Sequence, residues 1–379
     1  MKMTKYKLSE LVEVTRGASL SGQFYAEEGK LIRLTLGNFN MNGGGFKENT
    51  SKTDLYFTGT VRDEFILNEG DIITPLTEQS LGLLGTTARI PESGKYIQSQ
   101  DVALVRCKKG LLDPNFCYYL ISSSIVRQQL SAAAQQTKIR HTSPEKIKDC
   151  TVWVPDFDVQ KNIGRILTDI DNKIAINRQI NDNLEEQLRL ITSRYIFSCP
   201  NLEKKRIGEI ATVKAGGDCP ITFSKTRTQK CNIPIFSNGT EDRGLYGFTN
   251  KANIEGHSIT VAARGTIGYC ERRLMPFVPI IRLLAITPKE DGAYIYLHQV
   301  IRGMKFKKNG SVQQQLTVPE ISFIEIPYPH SSILYEYNKV ASPIVEMIER
   351  NISENEILTK QRDELLPLLM NGQASVNSD

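Results

Sequence analysis

The stretch INRQINDNLEEQLRLI, residues 176–191, decides the architecture of the chain. It belongs to a ladder of alternating steps of four and three residues, which is typical of a helix that packs along a second helix. The ladder consists of Ile163, Leu167, Ile170, Ile174, Asn177, Asn181, Leu184, Leu188, Ile191 and Tyr195. Two asparagines, Asn177 and Asn181, therefore lie where apolar side chains are expected.

The same ladder recurs 174 residues later, with asparagines at the matched positions (177 to 351 and 181 to 355). The second copy consists of Tyr337, Ala341, Ile344, Ile348, Asn351, Asn355, Leu358, Arg362, Leu365 and Leu369. Two repeated helices in one chain are expected to pack against each other. A buried asparagine at such a contact fixes register, because a slipped alignment leaves its amide unpaired. The alternative is that these positions face solvent.

The stretches before the helices repeat as well. SPEKIKDCTVWVP (143–155) matches VPEISFIEIP (318–327), and LSELVEVTRGAS (8–19) matches IGEIATVKAGGD (207–218). Because the offset between matched stretches changes along the chain, the two copies differ by insertions. The sequence predicts a tandem duplication of a globular block followed by a long helix.

The predicted segments are a first block at 1–155, a helical region at 156–200, a second block at 201–331 and a helical region at 332–379. The first helix is expected from about Val159 to Ser198. Ser342-Pro343 is typical of an N-cap followed by proline in the first turn, so the second long helix is expected to begin there. Short apolar runs between turns predict that each block mixes helix and strand.

Charge and composition limit the classes of function. The 379 residues carry a net charge of +5, distributed as +3, −1, +7 and −4 over the four predicted segments. Basic blocks suit a polyphosphate partner, although a slightly basic surface is the plain alternative. Seven scattered cysteines without a CxxC pair predict reduced thiols in a cytoplasmic protein. No apolar run reaches the roughly 18 residues of a membrane span.

Catalytic motifs are missing from the sequence. It contains no GxxxxGK[ST] loop and no [DN]PP[YF] tetrapeptide of the kind that DNA amino-methyltransferases carry. Glu203-Lys204-Lys205 resembles the end of a nuclease motif but lacks a suitably placed carboxylate upstream. The four histidines, at 141, 257, 298 and 330, lack metal-ligand spacing. The sequence therefore predicts a chain that does not catalyse a reaction alone, with no metal site.

Polar side chains in the turns of both blocks point to recognition of DNA. Arginine, asparagine and glutamine can make paired hydrogen bonds to base edges, and lysine and arginine bind phosphates. Arg264 and Arg273 flank a glycine-rich turn in the second block, and Gln79 and Arg89 hold a similar place in the first. The predicted DNA contacts are Arg16, Arg33, Asn38, Gln79, Arg89, Lys138, Lys214, Asn238, Arg264, Thr266, Arg272 and Arg273.

The order of these features resembles the specificity subunit of type I restriction-modification systems over nearly the whole chain. The resemblance rests on VWVP, on INRQINDNLEEQ, on RIGEIATVKAGG, on IEIPYP and on the terminal LTKQRDELLPLLMNGQ. It implies an α+β fold with two α/β target recognition domains in tandem. Two long antiparallel coiled-coil helices would separate and hold them, with a pseudo-twofold relation within one chain. Pro343 and Arg362 depart from a regular second helix.

The resemblance also implies function and partners. Each block would read one half of a bipartite double-stranded DNA site, and the helices would set the unread spacer. Two modification subunits that carry S-adenosylmethionine, and optionally two restriction subunits that use ATP and Mg, would dock on the chain, which itself needs no cofactor. The residues expected to pair the helices or dock partners are Asn177, Asn181, Leu184, Leu188, Asn351, Asn355, Leu358 and Leu365. The alternatives are a coiled-coil adaptor and the recognition half of a fused restriction-methylation enzyme.

Overall fold

The computed structural model describes residues 2–40, 44–78, 82–134, 140–200, 202–306 and 315–374. Its internal contacts divide the chain into two units. The first unit joins residues 1–177 to residues 353–379, and the second comprises residues 178–352. This division differs from the four predicted segments, since it cuts both long helices and assigns to each unit one globular block and a part of each helix.

The described part of the first block mixes short strands with four α-helices. Its strands are β1 (Thr4–Lys7), β2 (Val12–Arg16), β3 (Tyr25–Ala26), β4 (Leu31–Arg33), β5 (Tyr56–Phe57), β6 (Ile72–Pro75), β7 (Thr77–Glu78), β8 (Ala88–Arg89), β9 (Tyr96–Ile97), β10 (Val102–Cys107), β11 (Arg140–His141) and β12 (Thr151–Val154). Its helices are α1 (Leu8–Leu11), α2 (Pro114–Ser122), α3 (Ser124–Ala133) and α4 (Pro144–Lys148).

The second block, which follows helix α5 (Phe157–Thr192), has a similar series of elements. Its strands are β13 (Glu203–Arg206), β14 (Ala211–Ala215), β15 (Ile233–Phe236), β16 (Leu245–Thr249), β17 (Ser258–Val261), β18 (Cys270–Arg273), β19 (Val278–Pro279), β20 (Leu284–Pro288) and β21 (Glu325–Tyr328). Its helices are α6 (Ile207–Ile210), α7 (Ala293–Arg302) and α8 (Val318–Ser322), and the chain continues into α9 (Ser331–Met370).

Equivalent strands pair in the same order in the two blocks, which confirms the predicted duplication. The four-stranded sheets run β2-β10-β6-β8 and β14-β20-β17-β18, and the two-stranded sheets are β1-β12 and β13-β21. Each block also contains one parallel pair, β4 with β9 and β15 with β19. The fold class of two mixed helix and sheet blocks in tandem is thus as the sequence predicts.

The matched sequence motifs have local structural reasons. In SPE and TVPE, Ser143 and Thr317 are N-caps whose hydroxyl groups accept the amides of Lys146 and Glu320, and a proline occupies the first turn. In VTRG and VKAG, a Cβ on the glycine would lie 2.2 Å from the Gln98 carbonyl oxygen or 2.6 Å from the Ile280 nitrogen. Only glycine allows this close approach of two backbones.

Helix α5 ends in a π-helical turn at Ser193–Phe197, close to the predicted end at Ser198. The predicted start of the second long helix at Ser342-Pro343 is wrong, because α9 continues from Ser331 through this site. Tyr337, Ala341 and Val345 lie on both sides of Pro343 and are buried in the core of the second unit. Tertiary packing of the helix outweighs the local proline signal.

Each unit has its own apolar core that includes residues of both long helices. In the first unit, Ile163 and Leu167 of α5 and Leu369 and Met370 of α9 join the core of the first block. In the second unit, Leu188 of α5 and Leu334 of α9 do the same for the second block. The helices are therefore built into the cores of the blocks.

Candidate nucleic-acid interface

In the second unit, α5 and α9 are joined by a pair of asparagines. The Asn351 side chain donates a hydrogen bond from Nδ2 to Asn181 Oδ1 at 2.8 Å. Asn181 Nδ2 donates in turn to the carbonyl oxygen of Ile348 at 3.2 Å. Asn351 is only 7% exposed. The two amides occupy the helix contact and satisfy each other there.

In the first unit, the same hydrogen bonds recur with every residue number shifted by the 174-residue offset. Asn177 Nδ2 donates to Asn355 Oδ1 at 2.9 Å, and Asn355 Nδ2 approaches the carbonyl oxygen of Ile174 at 3.5 Å. Asn177 Nδ2 also donates to Glu354 at 2.7 Å. In both units α5 and α9 run antiparallel, because residues with higher numbers in one helix contact residues with lower numbers in the other.

The predicted leucines share this contact to different degrees. Leu188 is fully buried in the core of the second unit, and Leu365 packs on the core of the first. Leu184 and Leu358 are half-buried. The structure therefore brings all eight predicted helix-pairing residues to the sides of α5 and α9 that are at least partly covered.

A charged link ties the first block to both helices. Arg362 Nη1 of α9 donates to Asp171 Oδ1 of α5 at 2.9 Å. Tyr119 Oη of α2 donates to the other oxygen of the same carboxylate at 2.6 Å. Burial and the neighbouring carboxylate of Asp171 raise the pKa of the Tyr119 hydroxyl. Arg362, which interrupts the apolar ladder, thus has a specific partner rather than a disruptive effect.

In the second unit, Glu185 of α5 binds three side chains of the second block. Its carboxylate accepts hydrogen bonds from Arg272, from Arg302 at 2.7 Å and from Gln299 at 3.4 Å. Arg272 Nη1 also lies 3.0 Å from His298 Nδ1, and both side chains are buried. Burial, and then the charge of Arg272, lower the pKa of His298 well below its usual value. His298 is therefore neutral, and its Nδ1 accepts a hydrogen bond from Arg272 Nη1.

A second ionic link in this unit centres on Arg243. Its guanidinium binds Glu271 at 2.7 Å and Glu349 of α9 at 3.0 Å. Burial alone would lower the pKa of Arg243, but the two carboxylates outweigh burial and raise it. Burial would likewise raise the pKa of Glu271, and the Arg243 charge outweighs it and keeps that pKa low. Both groups stay ionised and fix the second block to α9.

Four predicted DNA-binding residues lie on the surface. Arg16 and Lys214 are exposed near the ends of the matched strands β2 and β14, and Arg264 and Thr266 are exposed in the β17–β18 turn. Arg264 Nη2 donates to Gln315 Oε1 at 2.7 Å, which orients its guanidinium. DNA contact by these residues stays a prediction. Gln79 and Lys138 lie outside the described residues.

Four other predicted DNA-binding residues are buried and already have partners. Arg33 donates to Asp54 and stacks 3.7 Å from the ring centroid of Tyr25. Asn38 accepts the Thr35 amide at 2.9 Å and shapes a turn. Arg272 and Arg273 are likewise buried, and DNA contact at all four positions stays a prediction. For Arg273, which stacks on Phe236 and donates to Thr260, burial first and then the Arg243 charge lower the pKa to about 10.

The two remaining positions, Asn238 and Arg89, contact neighbouring parts of their own block. Asn238 Nδ2 donates to the Ile281 carbonyl oxygen at 2.7 Å, and Asn238 Oδ1 accepts the Ala263 amide at 2.8 Å. Arg89 is half-buried and lies 4.9 Å from the ring centroid of Tyr118. Their side chains position neighbouring groups, and neither is free on the surface.

The sequence interpretation missed a basic segment before and within β15. Residues 219–240 contain Lys225, Arg227 and Lys230 but no aspartate or glutamate. All three cations are exposed. Lys225 lies 5.0 Å from the ring centroid of Tyr246, and Phe223 stacks beside that ring. A run of 22 residues without an acid is a signal that inspection of the sequence alone could have found.

Within the described ranges, no group of three or more histidine, cysteine or acidic side chains is arranged to hold a metal ion. None of the helices in those ranges has the length and apolar composition that crossing a bilayer requires. The seven cysteines are free thiols.

Comparison with known proteins identifies relatives of the whole arrangement. The family model of the type I restriction modification DNA specificity domain matches residues 1–186 and 201–366. A putative type I specificity subunit of Mycoplasma pneumoniae is 26% identical over 299 residues, which cover 74% of this chain and 88% of the relative. A putative type I restriction enzyme specificity subunit of Methanocaldococcus jannaschii is 23% identical and covers 86% of this chain and 85% of the relative.

The fold also resembles that of a solved structure. The S subunit of a type I restriction-modification system from M. genitalium superposes with a TM-score of 0.62 at 18% sequence identity. The alignment covers 98% of this chain and 96% of that subunit.

Proposed function

The chain belongs to the type I restriction-modification DNA specificity family, its role is DNA sequence recognition, and we propose that its two blocks read the two halves of a bipartite double-stranded site. The paired helices would fix the unread gap between the halves. Phosphate contacts would set the position of the chain, and base contacts would select the sequence.

The observation that carries this proposal is the attachment of each block to both helices. Asp171 of α5 binds Tyr119 of the first block and Arg362 of α9, and Glu185 and Glu349 bind arginines of the second block. Two blocks joined by a flexible linker would bind half-sites at many separations, whereas blocks whose cores include the helices would bind half-sites at few separations. Since the blocks share sheet topology but differ in their turns, the two half-sites are expected to differ in sequence.

The partners belong to the same proposal. We infer that two modification subunits dock on the chain and supply S-adenosylmethionine, and that restriction subunits, where present, supply ATP and Mg. This chain would make no covalent bond itself. Exposed apolar residues on the helices, including Ile176, Ile180 and Ile357, support docking of a protein along α5 and α9. The complex would work in the cytoplasm with the cell's DNA.

The test is selection of duplex DNA from a fully randomised pool, by the chain alone and by the chain with the modification subunits of its system. We expect an enriched motif of two unlike half-sites at one fixed gap, with binding that weakens steeply as salt rises. Enrichment of a single undivided motif, or binding insensitive to salt, would overturn the proposal.

A further inference from the structure

Two pairs of neighbouring residues in the second block adopt left-handed backbone conformations that L-amino acids rarely occupy. Asp242 and Arg243 have φ of 46° and 56°, and Ile281 and Arg282 have φ of 53° and 61°. These four are the only residues other than glycine with positive φ in the described ranges. For a β-branched side chain such as Ile281, this conformation is a genuine outlier.

The first pair is explained by the ion pairs already described. The left-handed turn at Asp242 and Arg243 directs the Arg243 guanidinium to Glu271 and Glu349. Its backbone strain is therefore offset by attachment of the block to α9. Gly244, with φ of 80°, completes this turn.

In the described part of the chain, the side chains of the second pair make no comparable bonds. Ile281 is 49% exposed, and Arg282 is exposed with no hydrogen bond or ion pair of its side chain to other residues of the described ranges. Strained residues whose side chains contribute nothing to the fold are typical of sites that act on a ligand.

The backbone of this pair is nevertheless held firmly. The amides of Ile281 and Arg282 donate to the carbonyl oxygens of Gly217 and Gly216 at 2.8 and 2.9 Å. The Ile281 carbonyl oxygen accepts the Asn238 side chain at 2.7 Å. Three loops thus fix the corner from which Ile281 and Arg282 project, and this rigidity is what a reading element requires.

The first block has an equivalent corner with different side chains. Ser99 pairs with Ala18 as Ile280 pairs with Gly217, in matched parallel bridges. Counting onward from these bridges, Gln100 corresponds to Ile281 and Asp101 to Arg282. Gln100 is exposed. The matched turn therefore presents an amide in one block and an apolar side chain beside a guanidinium in the other, and only the turn of the second block has the left-handed backbone.

We propose that this corner is a base-reading element of each block: Ile281 and Arg282 read the half-site of the second block, and Gln100 reads that of the first. The inference rests on the proposed function. Ile281 would contact a thymine methyl group, Arg282 would bind guanine in the major groove, and Gln100 would bind adenine, as the chemistry of these side chains favours.

The decisive variant is Ile281→Gly, since glycine adopts positive φ without strain. We expect its melting temperature to rise, while discrimination at one base pair of one half-site falls about fivefold or more in randomised-pool selection. Gln100→Ala should relax one position of the other half-site. Asp242→Gly is the matched control, because it relieves strain at the other left-handed pair and should leave the selected motif unchanged.

The outcomes separate the inference from the function on which it rests. A wild-type motif that Ile281→Gly and Gln100→Ala both leave unchanged would overturn the reading corner but not the proposed function. Equal relaxation of both half-sites by Ile281→Gly would also overturn it. Failure of the wild-type chain to select any divided motif would instead overturn the proposed function.

Discussion

Asn351 and Asn181 bind each other through their side chains at 2.8 Å across the contact of α5 and α9 in the second unit. In the first unit, Asn177 and Asn355 repeat this bond at 2.9 Å. A polar pair of this kind adds little stability relative to leucine, but it penalises every alignment in which one amide loses its partner.

Removal of one amide should therefore lower the free energy of unfolding more than removal of both. Asn181→Ala leaves Asn351 unpaired at a buried site and should lower the free energy of unfolding by about 1–3 kcal/mol. The double variant Asn181→Leu with Asn351→Leu should be nearly as stable as the wild type or more stable. Denaturant unfolding of the wild type, of Asn181→Leu, of Asn351→Leu and of the double leucine variant measures the coupling energy of the pair. Asn183→Ala, at an exposed position of α5, is the control, and an equal loss there would contradict the argument.

Glu185 and its neighbour Glu186 provide a matched pair for the link between α5 and the second block. Glu185→Gln removes the charge that compensates the buried Arg272, and we expect a loss of about 3 kcal/mol in the free energy of unfolding. Within the described residues Glu186 binds Arg189 alone, in an exposed pair, so Glu186→Gln should have no measurable effect. Hydrogen exchange of β17 and β18 should rise only in the first variant. Similar behaviour of the two variants would show that Glu185 does not hold the block.

His298 should make the second unit sensitive to acid. Because burial and Arg272 lower its pKa in the folded chain, the unfolded chain binds a proton below pH of about 6.5 that the folded chain does not. Stability is thus fully present above that pH and falls as the pH decreases, by up to about 1.4 kcal/mol per pH unit for this group. His298→Gln should reduce that slope, and His330→Gln, at an exposed site, should not. Unfolding measured across this pH range would refute the assignment if the two variants had equal slopes.

The basic segment should contribute affinity without sequence preference. Replacement of Lys225, Arg227 or Lys230 by alanine should make the plot of log affinity against log salt less steep, by about 1 for each residue. The selected motif should stay unchanged. Lys339→Ala, an exposed lysine that binds Glu336 on α9, is the control. The measurement is DNA binding at several salt concentrations. A slope that stays constant in all three variants would exclude the segment from the interface.

Periodicity made the helices and the duplication predictable, because a ladder with two matched asparagines depends only on residue spacing. Burial of single arginines was not predictable in this way. Arg33, Arg272 and Arg273 look like Arg264 in sequence, and only the fold shows that the first three are enclosed and bound. The helix start predicted from Pro343 was wrong for a related reason, since the local preference of proline for a first turn is weaker than the packing of α9. The left-handed corner at Ile281 has no sequence signal, since it lacks the expected glycine.

The length of the paired helices should set the gap between the half-sites. Contacts divide the units between residues 177 and 178 in α5 and between 352 and 353 in α9, so matched insertions there interrupt no contact within either unit. Seven residues make about two helical turns and keep the face of the helix, adding about 10.5 Å. Under the proposed function, insertion into both helices should lengthen the unread gap by about three base pairs at about 3.4 Å each.

The same insertion in α5 alone is the control, since it shifts one ladder against the other and leaves the asparagines and Asp171 or Glu185 mispaired. That variant should assemble poorly and select no divided motif. Motif selection with each protein measures both effects. If the chain with both insertions kept the wild-type gap, the helices would not set the distance between the half-sites.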